Sequence, residues 1–333
     1  MTTMTLDPSL SLQVSSINAS KNRVIVEEID GLIRVYKDGH VERAQIMTHA
    51  MCSSASEFGV SCRDVIIDNY TNIWARFYVP NSSHTKLPLL VYFHGGGFCV
   101  GSASWSCYHE FLAKLASKAG CVIVSVNYRL APENPLPAAY EDGVKALVWL
   151  RQQSLLGIKN EWWTDHCNMS NIFLGGDSAG ANIAFNVSIR LARQIDIKGL
   201  ILIQPFFGGE SRTHSEKYMT QPPRSALTLA ASDAYWRLSL PPGEKRDHPW
   251  CNPMAKMAPN YLEELRDLSV LVCISEMDIL KDRNLELCVK LGHKVEQIVY
   301  KGVGHAFQIL NKSTLAQTRV HELTTHIKNF VRR

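Results

Sequence analysis

No apolar run in the 333 residues approaches the roughly 18–20 consecutive residues needed to span a bilayer, so no membrane-spanning helix is expected. C-x-x-C spacing is also missing. The nine cysteines, an odd number, show no pairing pattern, which argues against a zinc site or a disulfide framework. Cys99, Cys121 and Cys273 sit in or beside apolar stretches, as buried free thiols of a reducing cytosol do. Blocks of like charge are absent: the net charge is +4 and the basic residues are scattered, which excludes a nucleic-acid stripe or a polybasic membrane patch. The first twenty residues carry one acidic side chain, no basic one and no hydrophobic segment. They fit neither a secretory signal nor an Arg-rich transit peptide, so a cytoplasmic protein is expected. On that reading the six N-x-S/T sequons, Asn69-Tyr70-Thr71 and Asn186-Val187-Ser188 among them, are chance. There are no internal repeats and no low-complexity segment.

What remains is the composition of an ordinary globular enzyme, 46% hydrophobic and 20% charged. The length suits one large α/β domain or two small ones. Residues 1 to about 25 read as a loosely packed arm. Leu32–Tyr36 and Val41–Arg43 flank Asp38-Gly39, a hairpin signal. Asp64–Ile67 and Ile73–Val79 form a second strand pair. Strands and helices then alternate, which implies a parallel sheet and the α/β class. Its strands are Leu87–Phe93, Val122–Val126, Asn171–Leu174, Gly199–Ile203, Val270–Ile274 and Val295–Tyr300. Helices are expected from about Ala138, over 181–193, and from about Leu315 to Val331. Residues 206 to about 260 break the rhythm with glycines, prolines, Arg224, Trp236 and Trp250, as a cap or pocket lining would.

Gly176-Asp177-Ser178-Ala179-Gly180 lies between an apolar strand and a helical face, the strand–turn–helix context of a G-x-S-x-G nucleophile elbow. Side chains at 176 and 180 would collide where strand and helix pass. The Ala179 N–H, at the helix N-terminus, points toward an oxyanion beside Ser178. Alone, the pentapeptide could be a glycine-rich turn. His94-Gly95-Gly96-Gly97 follows another strand, and three glycines let two N–H groups converge where an oxyanion would sit. Gly96 and Gly97 are favoured as donors, with Gly95 shaping the bend, although the sequence leaves the pair open.

A serine needs a base, and the base an orienting acid, in the chain order Ser, Asp or Glu, His. Asp278 follows a strand end, with Glu276 the runner-up and Asp282 a distant third. His305, on a glycine-flanked loop past the last strand, is the base; His293 precedes its strand and lies at the wrong end. Tyr128–Glu133 is either a binding loop or, better, a brace through Arg129 and Glu133. Asp177 either orients local hydrogen bonds or is tolerated on the turn. Phe206, Phe207, Trp236 and Trp250 line a pocket or, more simply, pack the core.

Together these residues (His94–Phe98, Tyr128–Glu133, Gly176–Gly180, Asp278 and Gly304-His305) resemble the plant carboxylesterases of the hormone-sensitive-lipase-like α/β-hydrolase family. The resemblance runs from the hairpin near Ile33 to the C-terminal helix. It implies a single α/β-hydrolase domain over 1–333 with a mostly parallel eight-stranded sheet and helices on both faces. Its cap would be built partly from the arm and hairpin of residues 1–60, and the insertion 206–260 would line the pocket. Implied roles are Ser178 as nucleophile, His305 as base and Asp278 as its partner, with Gly95, Gly96, Gly97 and Ala179 around the oxyanion. Ala181 departs from the pattern, where relatives often place a further glycine, and an altered pocket wall is expected there. The implied reaction is cofactor-free and metal-free hydrolysis of a small carboxylic ester, with acyl chain and oligomeric state left open. Two other activities share the fold: a lyase, dehydratase or cyclase of a specialised metabolite using the same site, and a hormone receptor. The receptors look degenerate at the base and the glycine triplet, both intact here.

Overall fold

The computed structural model describes residues 23–81, 85–155, 162–221, 225–255, 261–265, 267–292 and 294–333. Most of the expected N-terminal arm, Arg224 and His293 lie outside them. The chain divides into two compact units at Ile46 and Met47.

The first unit holds a three-stranded antiparallel sheet of β1 (Ile25–Ile29), β2 (Ile33–Tyr36) and β3 (Val41–Arg43). Gly39, at φ 82°, closes the turn between β2 and β3, as the Asp-Gly signal requires. Strand β1 has no counterpart in the sequence reading. Its two adjacent glutamates hide the alternation, and Glu28 instead pairs with Arg34 across the sheet.

The second unit is built on eight strands: β4 (Val60–Asp68), β5 (Ile73–Pro80), β6 (Leu87–Phe93), β7 (Val122–Asn127), β8 (Cys167–Asp177), β9 (Ile197–Ile203), β10 (Ser269–Ser275) and β11 (Val295–Tyr300). Their order is β4-β5-β7-β6-β8-β9-β10-β11. The pairs β4–β5 and β5–β7 are antiparallel, and every pair from β7 to β11 is parallel.

Helices cover both faces. On one side α1 (Ser106–Ala119) and the C-terminal helix Thr314–Val331 bury Phe111, Leu115, Leu323 and Ile327 against Tyr92, Phe173, Ile201 and Leu271. Successive strand residues face opposite ways, so Phe93 faces the other side. There its ring faces Gly143 of α2 (Ala138–Leu155), while its carbonyl faces Gly180 of α3 (Ala179–Leu191). The insertion after β9 carries α4 (His214–Tyr218), opened by a Thr213/Glu216 capping box, and α5 (Leu229–Ser239). Then follow α6 (Lys281–Leu291), α7 (Phe307–Leu310) and the C-terminal helix, α8. Among the described residues no helix is long and apolar enough to cross a membrane. All nine cysteines are free.

Candidate active site

Ser178, Asp278 and His305 follow the carboxyl ends of the parallel strands β8, β10 and β11, where open α/β sheets build their sites. Ser178 comes directly after β8, near the middle of the sheet, at φ 52° and ψ −120°. A non-glycine residue held there costs on the order of 1–3 kcal/mol and persists only if its surroundings fix it. They do: Ser178 N–H donates to the Ile203 carbonyl (2.8 Å), and its carbonyl accepts from Ala181, Asn182 and Phe206. The turn is also wedged. A Cβ on Gly180 would stand 1.9 Å from the Phe93 carbonyl oxygen, and one on Gly176 would stand 2.4 Å from the Gly180 backbone. The start of α3 therefore rests directly on the backbone leading into the glycine triplet.

His305 Nε2 lies 2.9 Å from Ser178 Oγ, and its Nδ1 lies 2.7 Å from Asp278 Oδ2. The His305 and Asp278 side chains are 5% and 1% exposed. The other Asp278 oxygen accepts the Leu280 N–H at 3.0 Å. An Asp278 carboxylate puts the imidazole proton on Nδ1 and leaves Nε2 bare toward the serine hydroxyl. Burial alone would push the imidazole down. The charge and hydrogen bond of Asp278, with Asp177 adding a smaller pull, outweigh it and hold His305 above its ordinary value. The two other acids are elsewhere: Glu276 accepts the Gly302 N–H, and Asp282 accepts the Ser215 N–H.

The triplet is held from behind. Gly95 N–H donates to Tyr108 Oη (2.8 Å) and Asp177 Oδ1 (3.1 Å), so it is already engaged. The Gly95 carbonyl lies 2.8 Å from His94 Nδ1, and the Gly96 carbonyl accepts from the Cys99 and Val100 N–H groups, both at 3.0 Å. A trans peptide aims its N–H opposite to its carbonyl. The Gly96 and Gly97 N–H groups thus turn away from these partners, and neither donates to another described residue. The Ala179 N–H, in the first turn of α3, has no partner within the helix.

His94 is fully buried, stacked on Tyr128 at 4.3 Å, and pushed down to about 4 by burial, so it stays neutral. Asp177 accepts hydrogen bonds from Tyr92 Oη and Tyr108 Oη, at 2.8 and 2.9 Å, besides Gly95 N–H. Burial raises its carboxyl to about 6 against the opposing pull of those bonds. It orients: one buried carboxylate links the serine turn to the glycine loop. Its position beside Ser178 hinted at this, whereas Tyr92 and Tyr108, 85 and 69 residues away in sequence, gave no signal.

The Tyr128–Glu133 loop acts as a brace. Tyr128 Oη donates to the His94 carbonyl, and Arg129 grips the fully buried Asp142 of α2 with Nε and Nη2, at 2.9 and 2.6 Å. Phe206 and Trp236 stack at 4.7 Å and both pack on Phe98, so these are core residues. Phe207 is fully buried against Phe185, and Trp250 is half-buried against Tyr140. Tyr235 of α5 lies on the triplet: a Cβ on Gly97 would meet its ring at 2.3 Å. Ala181 is buried within α3.

Residues 90–309 match the family model described as alpha/beta hydrolase fold. The chain is 51% identical to a protein of Arabidopsis thaliana named probable carboxylesterase 6, over 94% of each chain. It is 37% identical to 2-hydroxyisoflavanone dehydratase of Glycyrrhiza echinata, over 90% of this chain and 95% of that one. Among solved structures, an esterase of Pyrobaculum calidifontis superimposes with a TM-score of 0.66 at 27% identity, covering 83% of this chain and 88% of its own.

Proposed function

The chain belongs to the alpha/beta hydrolase family, and on that premise we propose that it is a serine carboxylesterase acting on small carboxylic esters. The observation that carries the reading is the unbroken hydrogen-bonded line Asp278–His305–Ser178.

In this mechanism the Ser178 hydroxyl proton passes to His305 Nε2 as Oγ bonds to the ester carbon. The carbonyl oxygen takes the negative charge, facing the N–H groups of Gly96, Gly97 and Ala179, while Gly95 shapes their loop. Each such donor is worth on the order of 10²–10³-fold in rate. As the intermediate collapses, the carbon–alkoxy bond breaks and His305 hands its proton to the departing alcohol. His305 then takes a proton from water, whose oxygen attacks the acyl-enzyme. Collapse of the second intermediate returns the proton to Ser178 and frees the acid. Asp278 keeps the imidazole oriented and stabilises its charged form throughout. The residues of the insertion 206–260 are proposed to shape the acyl and alcohol sites. The proposed compartment is the cytoplasm, where nine unbonded cysteines suit the reducing conditions.

The test is nitrophenol release from short p-nitrophenyl esters by the wild type and by Ser178→Ala. The variant should lose on the order of 10⁶-fold in kcat, to background. Turnover that survives it would refute the site. The similarity to a dehydratase makes elimination the competing outcome. A wild type that turns over no ester, but releases water from a hydroxylated substrate without needing Ser178, would replace hydrolysis with elimination.

A further inference from the structure

Gln204 follows the last residue of β9 and is fully buried, yet it has φ 48°, a left-handed conformation that glycine adopts more readily. Its backbone and its side chain both reach toward the site. Its N–H donates to the Cys273 carbonyl of β10 at 2.7 Å. Its side-chain Oε1 accepts the Ala306 N–H at 2.7 Å. Its Nε2 donates to Ser275 Oγ at 2.7 Å and to Gln308 Oε1 at 3.3 Å. The preceding residue, Ile203, supplies the carbonyl that holds the Ser178 N–H.

Three loops meet on this one amide. Ser275 is the last residue of β10, three before Asp278, and Ala306 follows His305 in sequence. The base loop is tied upstream where the Val303 carbonyl accepts the Met277 N–H. Among the described residues, Gln204 is the tie on the other side of His305 that reaches outside the loop and the helices after it.

Resting on the esterase reading above, we propose that Gln204 is a positioning residue that sets the distance between His305 and Ser178 by clamping the base loop to the ends of β9 and β10. Without the clamp, Asp278 still orients the imidazole, but the loop can withdraw it from the serine. A misplacement of about 1 Å costs on the order of 10²-fold in rate. Substrate binding would be spared, because Gln204 is buried behind the loop.

The experiment compares Gln204→Leu and Gln204→Glu with the wild type and Ser178→Ala, measuring kcat, KM, thermal midpoint and the pH profile. Gln204→Leu removes acceptor and donor at similar volume. It should lose on the order of 10²-fold in kcat with KM unchanged. Gln204→Glu keeps the acceptor for the Ala306 N–H, so it should keep most of the wild-type kcat. Its carboxylate would add to the Asp278 and Asp177 charges that already face His305, moving the acid limb of kcat/KM to higher pH. A folded Gln204→Leu with wild-type kcat, or a loss confined to KM, would overturn the clamp. If Gln204→Leu does not fold, the Glu variant decides: an unmoved acid limb or a kcat as low as expected for Leu would reject it. A wild type that shows no Ser178-dependent turnover would instead reject the esterase reading.

Discussion

His305 is pulled two ways. Burial favours its neutral form, and Asp278, at 2.7 Å, favours the imidazolium. The carboxylate wins, so the acid limb of ester hydrolysis should lie above the ordinary histidine value of about 6.5. With the neutral imidazole as the proposed base, kcat/KM should rise with pH through that limb and fall as His305 is protonated below it. Proton release in a pH-stat measures this without interference from a titrating chromophore. A limb centred below 6.5 would mean that burial dominates and that Asp278 is not an ionised partner. His94, by contrast, is held at about 4, so across that range it keeps the single ring proton that faces the Gly95 carbonyl.

Among the elements, β8, the serine turn and α3 carry the tightest steric demand. The Gly180→Ala Cβ would press on the Phe93 and His94 carbonyl oxygens, which are backbone atoms and cannot rotate away. Lifting α3 off β6 would open the core and pull the serine from His305. Gly180→Ala should therefore lower the thermal midpoint by many degrees or yield insoluble protein, as overpacking at a rigid contact does. Near-wild-type melting with full activity would show that the contact can relax. These glycines were legible in the sequence because a close approach leaves a local mark, as do the apolar runs of β6 and β10. Less legible was α1, whose Ser106–Ala119 segment mixes Cys107, Tyr108 and His109 into its first turn and blurs the period. The strand exchange that puts β7 outside β6 left no mark, since strand order is settled by crossovers rather than by any local pattern. Gln204 was invisible for the same reason: its partners at 275, 306 and 308 are neighbours only after β9, β10 and β11 have paired.

At the scale of the whole molecule, cohesion comes from the two helix-covered faces of the sheet and from buried polar ties, with no covalent cross-link. Arg283 and Glu216 make one such tie, both nearly inaccessible, joining α6 to α4 across the insertion. With nine free thiols, a reducing agent has no bond to break. Thermal midpoints with and without excess dithiothreitol should coincide. A midpoint that drops on reduction would reveal a disulfide and weaken the case for a reducing compartment.

The peptides that present the Gly96 and Gly97 N–H groups are anchored through their carbonyls and cannot swing to follow a substrate. On the proposed oxyanion assignment, an ester carbonyl would lie in one direction across Ser178 and offer the hydroxyl one of its two faces. For an ester with a stereocentre next to that carbonyl, the two mirror forms would send different substituents toward any one wall of the site. With these N–H groups as the proposed oxyanion donors, the same anchoring should make the site turn over the two hands of a racemic ester at different rates, which chiral chromatography of the unreacted ester would measure.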